Sequence, residues 1–395
     1  MKGTKAILAG MIYTPLEEIA NGVILIEGHH IAKVGPKDRI KIPAGATIID
    51  NQDRLVVPGF IDVHIHGAAG HDLMEATGEA VSAVAAYLAR HGTTSFLATT
   101  VTASLDRTLR AVTELGEIIR TSQSAHGAID KLAGAQPLGI HLEGPFLNVK
   151  KRGAHPASQI RKPSAETLQR ILDAANGAAR MLTLAPELEG ASEVLEFAHR
   201  RGLRVGVGHS NATFEEAERA INVGATYAVH VFNSMRPFHH RDSGILGAVL
   251  TDDRVTAELI CDGVHVEPPA IRLLVKSKGL ERVVLASDSL SGAGMPDGNY
   301  RLGNFTVHMA GGVLRTTEGN LSGSTLTLDA AVRNLSSFTG LSYKACLPCA
   351  TLNPARIVGM EKQKGVIAPG ADADLAVLDQ NHFVTQTYVR GRAVL

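Results

Sequence analysis

Short apolar blocks punctuate the chain, and between residues 58 and 355 each block is followed by a stretch with helical spacing of its apolar positions. The pairs run 60–64 then 80–90, 93–100 then 105–120, 138–141 then 165–175, and 181–185 then 192–201. They continue 204–207 then 214–223, 227–231 then 244–250, 255–260 then 268–278, and 282–286 then, after a long excursion, a helix from about Thr325. Each such block predicts a strand, and about eight strand-helix units close a parallel barrel. An open doubly wound sheet is the rival, but no G-x-G-x-x-G follows the first strand. The excursion, 289–323, predicts small hairpins at 300–305, 307–309 and 313–315.

Outside this region the pattern is short strands and turns: 6–8, 23–27, 30–34 and 46–50 at one end, 374–378, 387–389 and 393–395 at the other. Each set alone is marginal, so the two ends are expected to pair. The fold class is therefore α/β, a (β/α)8 TIM-like barrel at 58–355, with a small β-sandwich domain built from 1–57 and 356–395.

Composition narrows the partners. The chain has 395 residues, 45% hydrophobic, with 39 Lys+Arg against 39 Asp+Glu. Balanced charge gives no reason to expect nucleic acid or an anionic membrane, and an anionic ligand must be held by local groups. No apolar run approaches the ~20 residues of a bilayer span, and the start lacks the apolar core of a signal peptide, so a cytoplasmic location is expected. Three cysteines fit a reducing compartment. Cys346 and Cys349 spell C-x-x-C without a second pair, and read as inert thiols.

Barrel active sites lie at the C-terminal ends of the strands. There the chain places His64 and His66 at the end of the first block, Glu143 at the end of the third, His209 of the fifth, His230 of the sixth, His265 of the seventh and Asp288 of the eighth. A lone histidine at a strand end is usually a loop hydrogen-bonder. Their convergence on one mouth is instead a nitrogen and oxygen ligand set suited to zinc or iron, with room for water.

These residues sit in motifs: P-G-F-I-D-x-H-x-H at 58–66, H-L-E-G-P-F at 141–146, G-H-S-N-A-T at 208–213 and H-x-F-N-S-M at 230–235. D-G-x-H follows at 262–265, S-D-x-L-x-G-A-G-x-P-D-G at 287–298 and L-S-G-S at 321–324. The chain resembles the amidohydrolase superfamily and, within it, the N-acetylglucosamine-6-phosphate deacetylase family, over nearly its whole length. The resemblance implies metal-dependent hydrolysis of N-acetylglucosamine 6-phosphate to glucosamine 6-phosphate and acetate, in amino-sugar catabolism and cell-wall recycling. It implies that Glu143, His209 and His230 hold the main metal, with zinc first and iron, cobalt or manganese as alternatives. Asp288 would be base and then acid, His265 would contact the acetamido carbonyl, and Ala154, Leu321, Ser322, Gly323 and Ser324 would line the sugar pocket. Arg241, with the backbone at Asn233 and Ser234, would grip the phosphate, in its own subunit or across a homodimer or tetramer interface. Some relatives lack the first histidine pair; its presence here implies a second ion at His64, His66 and Asp288, bridged by Glu143. No lysine occupies 181–186 to bridge instead. Lys150, Lys151 and Arg152 are expected to be a solvated loop, His239 and His240 simple loop histidines, and His71 and Asp72 supports behind the ligands. Alternatives are deacetylation of N-acetylgalactosamine 6-phosphate or another N-acyl sugar, and a noncatalytic sugar-phosphate sensor.

Overall fold

The computed structural model describes residues 3–123 and 134–394. Eight parallel strands lie side by side in chain order: Phe60–Ile65, Thr93–Thr100, Gln136–Glu143, Ala179–Leu184, Arg204–Val207, Tyr227–Ala228, Thr256–Leu259 and Val283–Leu285. That order matches the barrel expectation and excludes the doubly wound sheet, in which the order reverses. Every residue of the first two strands is buried, which is why they read as unbroken runs rather than alternating ones. Between the last and first strands the ring closes through single bonds. The Asp288 amide donates to the His64 carbonyl at 2.8 Å, and the His66 amide to the Ser289 carbonyl at 2.9 Å.

The helices Gly78–Arg90, Leu105–Gln123, Ala165–Ala175, Ala191–Arg200, Phe214–Val223, Gly244–Thr251, Pro268–Lys278 and Leu328–Thr339 pack outside. Phe214–Val223 illustrates their logic: Thr213 and Glu216 cap its start reciprocally, Ala217, Ala220 and Ile221 form the buried stripe, and Gly224 ends it at φ 125°. The end of the barrel away from the site is sealed by the short helix Leu352–Ile357, whose Ala355 and Ile357 pack with Ile61, Leu97, Leu138, Met181, Tyr227 and Val284.

Four expectations shift. The sixth strand stops at Ala228 rather than 231, because the chain turns there to aim His230. The last barrel helix starts at Leu328, after Thr325. The strand expected over 300–305 breaks at Gly303, φ 58°, into a tight hairpin pairing Leu302 with Phe305, within a sheet of Gly298–Leu302, Phe305–Ala310 and Val313–Thr316. Asp72 accepts the Gly303 amide, so it anchors this insert to the loop after the first strand. The expected strand 393–395 is seen as Arg392–Ala393; Leu395 lies outside the described residues.

Both termini enter one seven-stranded sheet. Its central strand, Thr47–Pro58, is parallel to Lys5–Tyr13 and antiparallel to Leu375–Leu378. A buried cation ties this sheet to the barrel. Lys364 Nζ lies 2.6 Å from Asp374 and 2.8 Å from Asp372, and donates to Gln136 at the start of the third barrel strand at 2.9 Å. Cys261, Cys346 and Cys349 are free and buried, and burial raises all three thiols, Cys346 to about 11, so none is a ready nucleophile.

Removing one partner of a buried ionic group leaves the others uncompensated. Lys364→Met should therefore cost about 3–5 kcal/mol of stability, read from urea denaturation; an unchanged midpoint would mean the junction does not depend on this cation.

Candidate metal centre

Three strands end by forcing a non-glycine residue into the left-handed region: His209 at φ 46°, His230 at φ 28° and Asp288 at φ 48°. Each costs about 1–2 kcal/mol against ordinary backbone, and such strain persists where surrounding contacts over-determine it. Those contacts are present. The His230 amide donates to Glu258 Oε1 at 2.9 Å, and the Ser324 amide to the Asp288 carbonyl at 2.7 Å.

The turned side chains converge on Glu143, which is only 2% exposed. Its Oε1 lies 3.2 Å from His209 Nε2 and 3.2 Å from His230 Nε2, and these two nitrogens are 3.1 Å apart. Oε2 lies 3.2 Å from His66 Nε2 and 3.1 Å from His155 Nε2. Asp288 Oδ1 is 3.3 Å from His66 Nε2 and 3.7 Å from His64 Nε2.

These spacings fit a metal ion. Bonds of about 2.0–2.1 Å in a tetrahedral shell put ligand atoms roughly 3.3 Å apart, which is the separation found within Glu143, His209 and His230. The protons fit as well. His209 Nδ1 donates to the Lys151 carbonyl at 2.8 Å, leaving a lone pair on Nε2. His64 Nδ1 donates to Glu258 at 2.8 Å, and its buried Nε2 faces Glu143 Oε1 at 3.3 Å without a well-directed hydrogen bond. His64, His66 and Asp288 form a second group whose donor atoms lie within 4.8 Å of one another.

His155 meets the same spacing with Glu143 and His209, but its proton is on the wrong atom for a ligand. The Thr102 amide donates to its Nδ1 at 3.3 Å, which puts the proton on Nε2 and makes that nitrogen a donor towards Glu143. His141, despite its place in the motif, is a satisfied core histidine. Its Nδ1 donates to the Val63 carbonyl and its Nε2 accepts from Thr183, and burial first, then His64, keep it neutral.

Burial opposes charge on every group here, yet the carboxylates prevail at the first strand. Asp288 and Glu143 raise His66 to about 9, and Glu258 with Glu143 raises His64 well above the ordinary imidazole value. Burial pushes Asp288 up, but His64 and His66 outweigh it and hold its carboxyl at about 2, so it is ionised at neutral pH. Protons thus balance charge that a cation would balance by displacing them.

A model of the amidohydrolase family matches residues 55–394. The chain belongs to that family. It is 37% identical to the N-acetylgalactosamine-6-phosphate deacetylase of Escherichia coli O157:H7, over 89% of this chain and 90% of the other. It is 40% identical to the N-acetylglucosamine-6-phosphate deacetylase of Bos taurus, over 86% and 83%. A mutant N-acetyl-D-glucosamine-6-phosphate deacetylase of Mycobacterium smegmatis, solved with N-acetyl-D-glucosamine 6-phosphate, superposes with a TM-score of 0.91 at 34% identity, covering 100% of both chains.

As in an amidohydrolase, the cluster floors a cavity of about 420 Å³. His66, Glu143, His209, His230, His265 and Asp288 reach its surface, together with Ala154, Asn233, Ser234, Leu321, Ser322 and Gly323. His64 lies behind, fully buried. Ser324 is not in that wall; it braces the backbone of Asp288. Arg241 also lies outside the cavity, exposed and bonded to His240 at 2.7 Å. His265 Nδ1 donates to Asp262 at 2.6 Å. The sequence reading missed His155 and Glu258. The first stands beside Ala154 in Gly153-Ala154-His155-Pro156, and the second is a carboxylate inside the apolar block 255–260, a placement that already implies buried partners.

Glu258 accepts from His64 Nδ1, the His230 amide and the Tyr227 hydroxyl, so it orients two candidate ligands. Glu258→Gln should weaken zinc affinity about 10–100-fold in competition with a chromophoric chelator; an unchanged affinity would remove it from that role.

Proposed function

We propose that the chain hydrolyses the N-acetyl group of N-acetylglucosamine 6-phosphate, releasing glucosamine 6-phosphate and acetate. The observation that carries this reading is an ionised carboxylate, Asp288, beside a Glu143-centred ligand cluster at the floor of a cavity large enough for a sugar. Relatives with that activity in their names align over most of the chain.

Glu143, His209 and His230 would hold a divalent ion, zinc first, which supplies Lewis-acid polarisation and a lowered pKa for water. Asp288 takes the proton of the attacking water and passes it to the departing amine nitrogen. The tautomers suggest a division of labour between the two remaining histidines. His155 Nε2–H, which faces Glu143 at 3.1 Å, would turn to the developing oxyanion once Glu143 holds the ion, whereas the Nδ1 proton of His265 is committed to Asp262, leaving Nε2 to accept from a sugar hydroxyl rather than to donate to the acetamido carbonyl. His64, His66 and Asp288 offer a second ion position. Arg241 would reach a phosphate only in a neighbouring subunit, which favours a homodimer. Among the described residues no helix is long and apolar enough to cross a membrane.

The similarity to a relative named N-acetylgalactosamine-6-phosphate deacetylase keeps N-acetylgalactosamine 6-phosphate as the second reading. Acetate release from both sugar phosphates, with metal analysis of the same sample, decides between them, and release from neither would favour a sensor. Asp288→Asn should lower kcat about 10²–10⁴-fold while the ion at Glu143, His209 and His230 is retained. Near-normal turnover would take Asp288 out of the proton transfers.

A further inference from the structure

The phosphate of the proposed substrate is a dianion, and a dianion needs cations at the place where it is held. Arg241 lies outside the cavity of its own chain. The lysine and arginine side chains that do line it are Lys150, Lys151 and Arg152. Arg152 is already spent: its Nη2 lies 3.1 Å from Glu318 on the inserted hairpin. Lys150 and Lys151 make no ion pair and no side-chain hydrogen bond among the described residues. The carboxylates in the same wall, Glu143 and Asp288, face imidazoles instead.

These two lysines are not on a loose loop. They sit in the short 3-10 turn Val149–Lys151, whose start is capped by Asn148 accepting the Lys150 amide. The Asn148 amide donates to the His209 carbonyl at 3.0 Å, its side chain donates to Glu187 at 2.8 Å, and the Lys151 carbonyl accepts from His209 Nδ1 at 2.8 Å. The turn is therefore fixed directly to a candidate metal ligand, at a defined position relative to the cluster.

We propose that Lys150 and Lys151 are the counter-charge this chain itself brings to the substrate phosphate, making the turn a determinant of preference for phosphorylated over free N-acetyl sugars. The proposal rests on the deacetylase reading. It treats the turn as an ammonium platform: flexible stems reach from a rigid backbone, so charge is placed without the fixed fork of an arginine.

The test compares kcat/KM for N-acetylglucosamine 6-phosphate and for free N-acetylglucosamine in the zinc-loaded wild type and in Lys150→Met, Lys151→Met and the double variant, at low and high salt. Methionine keeps an apolar stem, and the Lys→Arg variants serve as charge-preserving controls. The double variant should lose about 10–100-fold on the phosphorylated sugar, mainly through KM, with a shallower salt dependence. Free sugar should change by no more than about twofold on the same scale, and the arginine variants should recover most of the loss. Equal losses on both sugars would mean that the lysines act on the cluster or the fold rather than on phosphate, and unchanged selectivity would mean they are solvated; either overturns the proposal. A wild type that releases acetate from neither sugar would instead overturn the deacetylase reading beneath it.

Discussion

One carboxylate, Glu143, sits within 3.1–3.3 Å of five imidazoles. A buried carboxylate is costly unless charge and hydrogen bonds compensate it, and here the compensation arrives from the first, fifth and sixth strand ends and from the loop at His155. The barrel brings distant segments to one mouth, but the requirement to surround Glu143 decides how those segments end. The fifth, sixth and eighth strands finish in left-handed backbone at His209, His230 and Asp288. Glu258 and Ser324 then hold what is strained.

The same residues close the ring. Asp288 joins the eighth strand to the first through its amide, and His66 does so in return through Ser289. Closure and chemistry are thus one set of contacts, and the active-site mouth is also the barrel's seam. Away from it the fold is conventional: capped helices with alanine-rich stripes, a floor sealed by Ala355 and Ile357, and a terminal sheet held to the barrel at Lys364.

Much of this was legible in the sequence because it depends on local pattern. Strands such as Thr93–Thr100 and helices such as Ala165–Ala175, Phe214–Val223 and Pro268–Lys278 fall where periodicity puts them. The motif residues at the strand ends do converge, His66, Glu143, His209, His230, His265 and Asp288 on one cavity and His64 behind it. What pattern could not supply was partnership at long range. His155 reads as one more loop histidine until Thr102, 53 residues earlier, fixes its tautomer. Glu258 looks like an anomaly in an apolar block until His64, 194 residues away, is found against it. Lys150 and Lys151 read as a solvated charge run, and only the cavity wall distinguishes them from one. The shortened sixth strand has the same origin, since nothing local in 227–231 announces that His230 must turn inward.

The central claim is that Glu143 organises a metal site on which amide hydrolysis depends. It is tested most directly with Glu143→Gln, an uncharged side chain of the same size, by measuring metal content and acetate release from N-acetylglucosamine 6-phosphate on one preparation whose thermal unfolding matches the wild type. The variant is expected to fold, to hold no stoichiometric metal and to release no acetate above background. A variant that keeps its full metal complement and wild-type turnover would contradict that role for Glu143.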